Sequence, residues 1–212
     1  MYTKRRLFFK IPGLLQISRP CATMNYYIIY KPFGMLSQFT QEVPGQVTLA
    51  NLDFKFPGNV YPVGRLDADS EGLLFLTDDK NVNNKLLNPK NQHPRTYMAQ
   101  VEGIPEAAAL EQLCKGVAIS IDGKKHTTAP AKAKIPETVP EFPERNPPIR
   151  VRKSIPDTWI ELELMEGKNR QVRRMCAAVG LPVLRLVRVA IGEVTLGNMQ
   201  PGDVREVTGL GV

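Results

Sequence analysis

The sequence predicts an α+β protein built on a mixed, largely antiparallel central sheet with flanking helices. Three observations carry that expectation. Short runs such as "YYIIYK", "GLLFLT" and "TWIELEL" read as strands, and only a few stretches hold helical spacing. Strands and helices also follow one another without the regular strand–helix–strand beat of a parallel fold. A chain of 212 residues forms one large domain or two halves sharing a sheet, long enough to bury a core.

Each element has its own signal. "MNYYIIYKP", from Met24, alternates weakly and is rich in Tyr and Ile, as strands are, and the apolar run Gly72 to Thr77 predicts a buried strand. A short helix follows around Asn81 to Leu87, then a strand over Arg95 to Gly103. "PEAAALEQLCKG" has Pro105 at its start and Gly116 at its end, the expected helix punctuation. "VAISIDGKK" turns at Asp122-Gly123, a hairpin signal, and leads into a strand "APAKAKI". Pro136, Pro140, Pro143, Pro147, Pro148 and Pro156 then rule out a helix or central strand over residues 136–156, predicting a long loop. Beyond it come the alternating strand "TWIELELMEG", a helix from about Asn169 to Val179 closed by Gly180, a strand near Leu184 to Val189 and a last strand "DVREVT".

The net charge of +7 points to an anionic partner, but Lys4, Arg5, Arg6, Lys10 and Arg19 stand in an acid-free first 23 residues and leave the remainder at only +2. Residues 1–23 are expected to be a basic, poorly ordered tail, with the core-patterned chain running over residues 24–212. Cys21, Cys114 and Cys176 are odd in number and widely spaced, and His93 and His126 stand far apart. No disulfide framework or metal site is therefore expected, and a reducing cytoplasm fits best. No apolar run reaches the length of a membrane-spanning helix.

Two stretches carry candidate chemistry. In "VYPVGRLDADSEGLLFLTDD", Arg65, Asp67, Asp69 and Glu71 sit between apolar runs. Such acids are commonly turn or cap residues, and Asp69 and Glu71 are read that way. In "EGKNRQVRRMCAAVG", Val172, Met175, Cys176 and Val179 make a core stripe and leave Lys168, Arg170, Arg173 and Arg174 around the first turns. A helix start disfavours cations, so these either form a solvated basic face or meet anions supplied from elsewhere. With Arg185 and Arg188 they make six cations and no acid between Gly167 and Gly192, and Arg145, Arg150, Arg152 and Lys153 form a second basic cluster. The predominance of Arg favours planar contacts to phosphate, and Tyr97 could stack on an exposed base.

"GRLDADSEGLL", "TYMAQVEG" and "GKNRQVRRM", in that order and spacing, resemble the RsuA-like ribosomal RNA pseudouridine synthases from Met24 to about Thr208. "IYKPFGMLSQFT", "RNPPIRVRKSIP" and "LPVLRLVRVAIG" look most like the branch acting on large-subunit (23S) ribosomal RNA, type E, which lacks the small N-terminal S4 domain. The resemblance implies a pseudouridine synthase fold with a central RNA-binding cleft. It also implies cofactor-free isomerisation of uridine to pseudouridine, with ribosomal RNA as partner; a monomer is the default expectation. Asp67 would be the essential carboxylate, Tyr97 would pack on the uracil, and Arg173 would pair with Asp67. Arg65 would hold the flipped nucleotide out of its stack. Arg150, Arg152, Lys153, Lys168, Arg170, Arg174 and Arg188 would contact RNA, while Leu66 and Leu73 to Leu76 would floor the site.

Small-subunit ribosomal RNA as the target is the alternative within the family. Outside it stand a two-carboxylate glycoside hydrolase or nucleosidase, whose acids would lie about 5 to 10 Å apart, and a non-catalytic RNA-binding module. If residues 1–23 are a tail, a chain starting at Met24 is expected to keep its thermal midpoint and its single-turnover rate on RNA. Its affinity should become slightly less salt-sensitive if the lost cations touch phosphates. Loss of a folded, active protein would refute the assignment.

Overall fold

The computed structural model describes residues 24–87, 93–149 and 155–211. Eleven strands and three helices are present among them: β1 (Tyr26–Lys31), β2 (Tyr61–Pro62), β3 (Glu71–Thr77), α1 (Lys80–Leu87), β4 (Arg95–Glu102), α2 (Ala107–Lys115), β5 (Ala118–Ile121), β6 (Lys124–Thr127), β7 (Lys132–Lys134), β8 (Asp157–Leu164), α3 (Gln171–Ala178), β9 (Val183–Ile191), β10 (Val194–Thr195) and β11 (Val204–Val207). The architecture is α+β, as the sequence predicts. The two-residue strands β2 and β10 and the 3-10 turn Leu49–Asn51 were not expected, being too short to carry a periodic signal.

Nine strands form one sheet in the order β11-β1-β3-β9-β4-β8-β7, with β2 added to β3 and β10 to β9. Every pairing is antiparallel except one: β3 runs parallel to β9, through Glu71 opposite Val187 and Gly72 opposite Arg188. This short contact is the seam between an antiparallel set made of β11, β1 and β3 and another made of β9, β4, β8 and β7. The hairpin β5–β6 turns at Asp122 and Gly123, both with positive φ, as an Asp-Gly turn should.

β3 is buried along its whole length, and Leu73 to Leu76 are fully inaccessible. They alternate: Leu73 and Phe75 join a cluster with Val82 and Leu86 of α1, whereas Leu74 and Leu76 join one with Met35, Leu49, Val60 and Leu66. Each such side chain contributes roughly 1.5–3 kcal/mol by its burial. In the other half, Leu113 of α2 and Val172, Met175 and Cys176 of α3 pack on Ala99, Val101, Ile160 and Leu162 of β4 and β8. Tyr97 touches both this cluster and the one around Leu66, and so lies where the two halves meet.

The seam is built from groups the sequence reading had set aside. Glu71, expected to be a solvated or capping acid, is 2% exposed and bonds bidentately to Arg185, at 2.9 and 2.8 Å. The run of acids before a glycine looked like a turn; only the crossing of β3 and β9 brings in an arginine 114 residues away. Gly72 follows with φ +103, and a Cβ there would lie 2.3 Å from the Arg188 carbonyl oxygen. No other residue fits that approach.

Replacing Glu71 by Ala leaves Arg185 buried without its counter-charge. The expected cost is about 3–5 kcal/mol, read as a lowered urea midpoint. Loss below about 1 kcal/mol would mean that the pair is not desolvated in solution.

Candidate active site

A cleft of about 600 Å³ opens between the Leu36–Ser37 and Val63–Ser70 segments of one half and the Leu164–Val172 segment of the other. Its walls bring together Arg65, Asp67, Tyr97, Lys168, Arg170 and Arg188, six of the residues singled out in the sequence. A smaller hollow of about 390 Å³, lined by Gln100, Phe142, Trp159 and Arg185, holds none of them. Gln100 and Tyr97, three apart on β4, point to opposite faces of the sheet.

Asp67 sits on a turn in which the Ser70 amide donates to the Asp67 carbonyl at 3.0 Å. The preceding residue is clamped by buried Ser37: the Leu66 amide donates to Ser37 Oγ at 3.0 Å and that hydroxyl donates to the Leu66 carbonyl at 2.8 Å. The following carbonyl, of Ala68, accepts from the Gly34 amide at 2.7 Å, with Lys31 Nζ at 3.5 Å. Lys31 is inaccessible, donates to the Pro32 and Met35 carbonyls, and is pushed down to about 8 by burial. A buried ammonium thus ties the end of β1 to the Asp67 turn. Neither Ser37 nor Lys31 was singled out, because nothing local in "YKPFGMLS" shows what they hold.

The cations near Asp67 are arranged differently from the expectation. Arg170 Nη1 lies 3.8 Å from Asp67 Oδ2 and is the nearest cation among the described ion pairs. Arg173, expected to pair with Asp67, instead places Nη2 2.6 Å from the Asp69 carbonyl and Nε 3.4 Å from the Asp69 carboxylate. Its Nη1 donates to the Val183 carbonyl, and it is not part of the cleft lining. Arg174 also turns away, its guanidinium donating to the Ser120 carbonyl and to Asn169 Oδ1. Arg150, Arg152 and Lys153 lie outside the described residues. The floor is also corrected: Leu66 lines the cleft, but Leu73 to Leu76 lie in the core, and Val63, Leu164, Leu186 and Ile191 take their place.

Asp69, read from the sequence as a turn acid, is the hub. Arg170 bonds it bidentately at 2.9 and 2.7 Å across 101 residues of chain. This supplies the anion that a helix start crowded with arginines requires. Arg170 caps α3 with φ +51, a left-handed conformation costing an ordinary residue roughly 1–2 kcal/mol, which the bidentate contact offsets. Partial burial alone would raise the Asp69 pKa, but the Arg170 hydrogen bonds and the Arg173 and Arg170 charges hold it below the usual carboxylate value. Arg95, two residues before Tyr97 on the same face of β4, is a further cleft cation that the sequence reading passed over. A cation opening a strand gives no signal by itself.

A sheet-floored cleft with Asp67 on a braced turn, a second carboxylate, Glu166, engaged by the Ala129 amide and Gln171, a tyrosine at the junction of the halves and a cationic rim is suited to binding and modifying an extruded nucleotide. Comparison with known proteins agrees: the RNA pseudouridylate synthase family profile matches residues 25–178, and the chain belongs to that family. Two type E enzymes are among its relatives. The chain is 50% identical over 179 residues to ribosomal large subunit pseudouridine synthase E of Xanthomonas campestris pv. campestris, covering 84% of this chain and 92% of that one. It is 48% identical over 180 residues to the protein of the same name from Vibrio parahaemolyticus, covering 85% and 72%. Ribosomal large subunit pseudouridine synthase B of Bacillus subtilis is 38% identical over 183 residues, covering 86% and 68%. A crystal structure of a pseudouridylate synthase superposes with a TM-score of 0.70 at 28% identity, over 87% of this chain and 70% of that one.

The Asp69 clamp makes a pH-dependent prediction. A carboxylate held below its unfolded pKa contributes stability above about pH 4 and loses it as the pH falls through the folded value. Asp69→Asn is expected to cost about 1 kcal/mol at pH 7, discounted for exposure, with the gap from the parent closing below about pH 4. Urea melts across pH would show it; a gap that stays constant with pH would contradict the clamp.

Proposed function

We propose that this pseudouridine synthase acts on a uridine of large-subunit (23S) ribosomal RNA, with Asp67 as its catalytic carboxylate. The observation that carries the residue assignment is that Asp67 faces the cleft from a turn held on both sides, with Tyr97 and Arg170 in the same walls. The near full-length similarity to the type E enzymes supports the substrate. In the reaction the N1–C1′ bond of the target uridine breaks, the uracil turns in place, C5 bonds to C1′, and the C5 proton is lost while N1 gains one. Asp67 attacks C1′ or takes a ribose proton; either route needs it ionised, and Arg170, the nearest cation, favours that form once bound RNA excludes water. Arg173 acts at one remove, by holding Asp69 and through it the turn.

Arg65 and Lys168, both exposed on the cleft wall, are placed to meet the RNA backbone and offset the few kcal/mol that base flipping costs. Tyr97 packs on the uracil and Leu66 closes the floor, keeping water from C1′. The unit that does this is residues 24–212 as one catalytic domain of two sheet halves, working as a cytoplasmic monomer. No helix among the described residues is long and apolar enough to cross a membrane.

Asp67→Asn keeps shape and hydrogen bonding but removes the charge, so single-turnover conversion of uridine in ribosomal RNA is expected to vanish while RNA affinity stays near the parent's. Conversion near the parental rate would overturn the assignment. Mapping pseudouridine in ribosomal RNA from cells lacking the protein tests the substrate: a missing site in 23S RNA supports it, and one missing only in small-subunit RNA refutes it.

A further inference from the structure

Several cations around the cleft are committed to carboxylates: Arg170 and Arg173 to Asp69, and Arg185 to Glu71. Arg65 and Lys168 stand exposed on the rim, and two cations drawn further from solvent, Arg188 and Arg95, have no carboxylate partner among the described residues. Arg188 is only 4% exposed and lines the cleft, yet its one side-chain hydrogen bond among the described residues runs from Nε to the Leu73 carbonyl, at 2.8 Å. Its Nη2 is buried with no partner. Arg95, in the same lining, donates to the Leu86 carbonyl at 3.1 Å and has no carboxylate partner among the described residues. Arg188 stands opposite Tyr97 in the β4–β9 register, and its charge bears on Arg95. Burial and the Arg188 charge both push the Arg95 guanidinium below its usual pKa. Ser70 Oγ, on the same walls, is also buried and unpartnered.

A buried guanidinium and a half-buried one in the same wall, neither with a carboxylate partner among the described residues, are unfavourable in the resting protein. They become favourable when negative charge develops between them, the arrangement by which a preorganised site stabilises a transition state. Heterolysis of the N1–C1′ bond leaves the electron pair on the uracil, delocalised over N1, O2 and O4. We propose that Arg188 and Arg95 form the anion hole for this departing uracil, Arg188 donating to a ring carbonyl oxygen while Tyr97 carries the ring. A phosphate is a poor candidate for this spot. The exposed rim cations Arg65 and Lys168 are open to the RNA backbone, whereas a 4% exposed guanidinium beside Tyr97 is reached only by an extruded base. The charge balances: the pair moves onto the base on cleavage and returns to the new C5–C1′ bond, and the lost C5 proton replaces the one N1 gains.

This inference rests on the pseudouridine reading of the same cleft, and one experiment separates the two. Arg188→Gln and Arg95→Gln are compared with the parent in single turnover at saturating enzyme, on ribosomal RNA carrying uridine and on the same RNA carrying 5-fluorouridine. The readout is loss of the N1-linked nucleotide, with RNA affinity and its salt dependence measured alongside. Fluorine at C5 withdraws electron density, so its base anion needs less help to leave. Each variant is expected to lose about 10²-fold on uridine, to lose at least about tenfold less on 5-fluorouridine, and to bind RNA as the parent does.

Equal loss on both substrates would overturn the anion hole. So would a loss that appears only in affinity with a shallower salt slope, the signature of a phosphate contact. If Arg188→Gln does not fold, since it removes the bond to Leu73, half-buried Arg95 carries the same comparison alone. If the parent converts neither substrate, the pseudouridine reading itself fails.

Discussion

The buried ion pair between Glu71 and Arg185, beside the close crossing of Gly72 over Arg188, is the constraint on which the rest of the molecule hangs. Two antiparallel sets of strands touch in parallel over only two residue pairs. Such a short ladder supplies little alignment by hydrogen bonding alone. A bidentate, inaccessible pair sets the register of β3 against β9, because a slip of one residue would leave both charges desolvated and unpaired. Gly72 lets the two backbones come that close. Asp67 lies four residues before the seam and Arg188 lies within it, so the crossing that joins the halves also fixes the distance across the cleft.

From that crossing the Asp67 turn is braced by contacts of different kinds. Ser37 holds the residue before it, while Gly34 and buried Lys31 hold the carbonyl after it. On the far side, Asp69 is gripped by Arg170 and Arg173 from α3. The carboxylate that faces the cleft is therefore carried by neighbours that cannot easily move, while it remains partly open to what enters. Charge is divided in the same spirit. Arg170 and Arg173 are consumed in holding the turn, exposed cations occupy the rim, and Arg95 and Arg188 have no carboxylate partner among the described residues on the inner wall.

An apparent surplus of positive charge in the sequence thus resolves into three uses. The six cations between Gly167 and Gly192 looked like one basic surface. In the fold Arg174 turns to the β5–β6 hairpin, Arg185 is neutralised in the seam, and Arg173 sits behind Asp69. Only Lys168, Arg170 and Arg188 of that group line the cleft. Burial and the choice of partner, not the number of arginines, decide what each can do.

The sequence by itself determined the parts whose causes lie within a few residues. The alternation of β8, the apolar run of β3, Pro105 and Gly116 around α2 and the Asp-Gly turn of β5–β6 follow from periodicity and backbone sterics, and each element lies where it was expected. The three spaced motifs were likewise enough to place the chain in its family, and Asp67 and Tyr97, which they single out, both line the cleft. What only the tertiary structure decided is which charge meets which. Asp69 and Glu71 read as turn acids because their partners, Arg170 and Arg185, lie more than 100 residues away. Arg173 and Arg170 are three residues apart on one helix start, so local rules could not say which of them approaches Asp67. Ion pairing depends on where chain segments cross, and the energy of each pair on how much water the crossing expels; neither quantity is written in any local stretch of the chain.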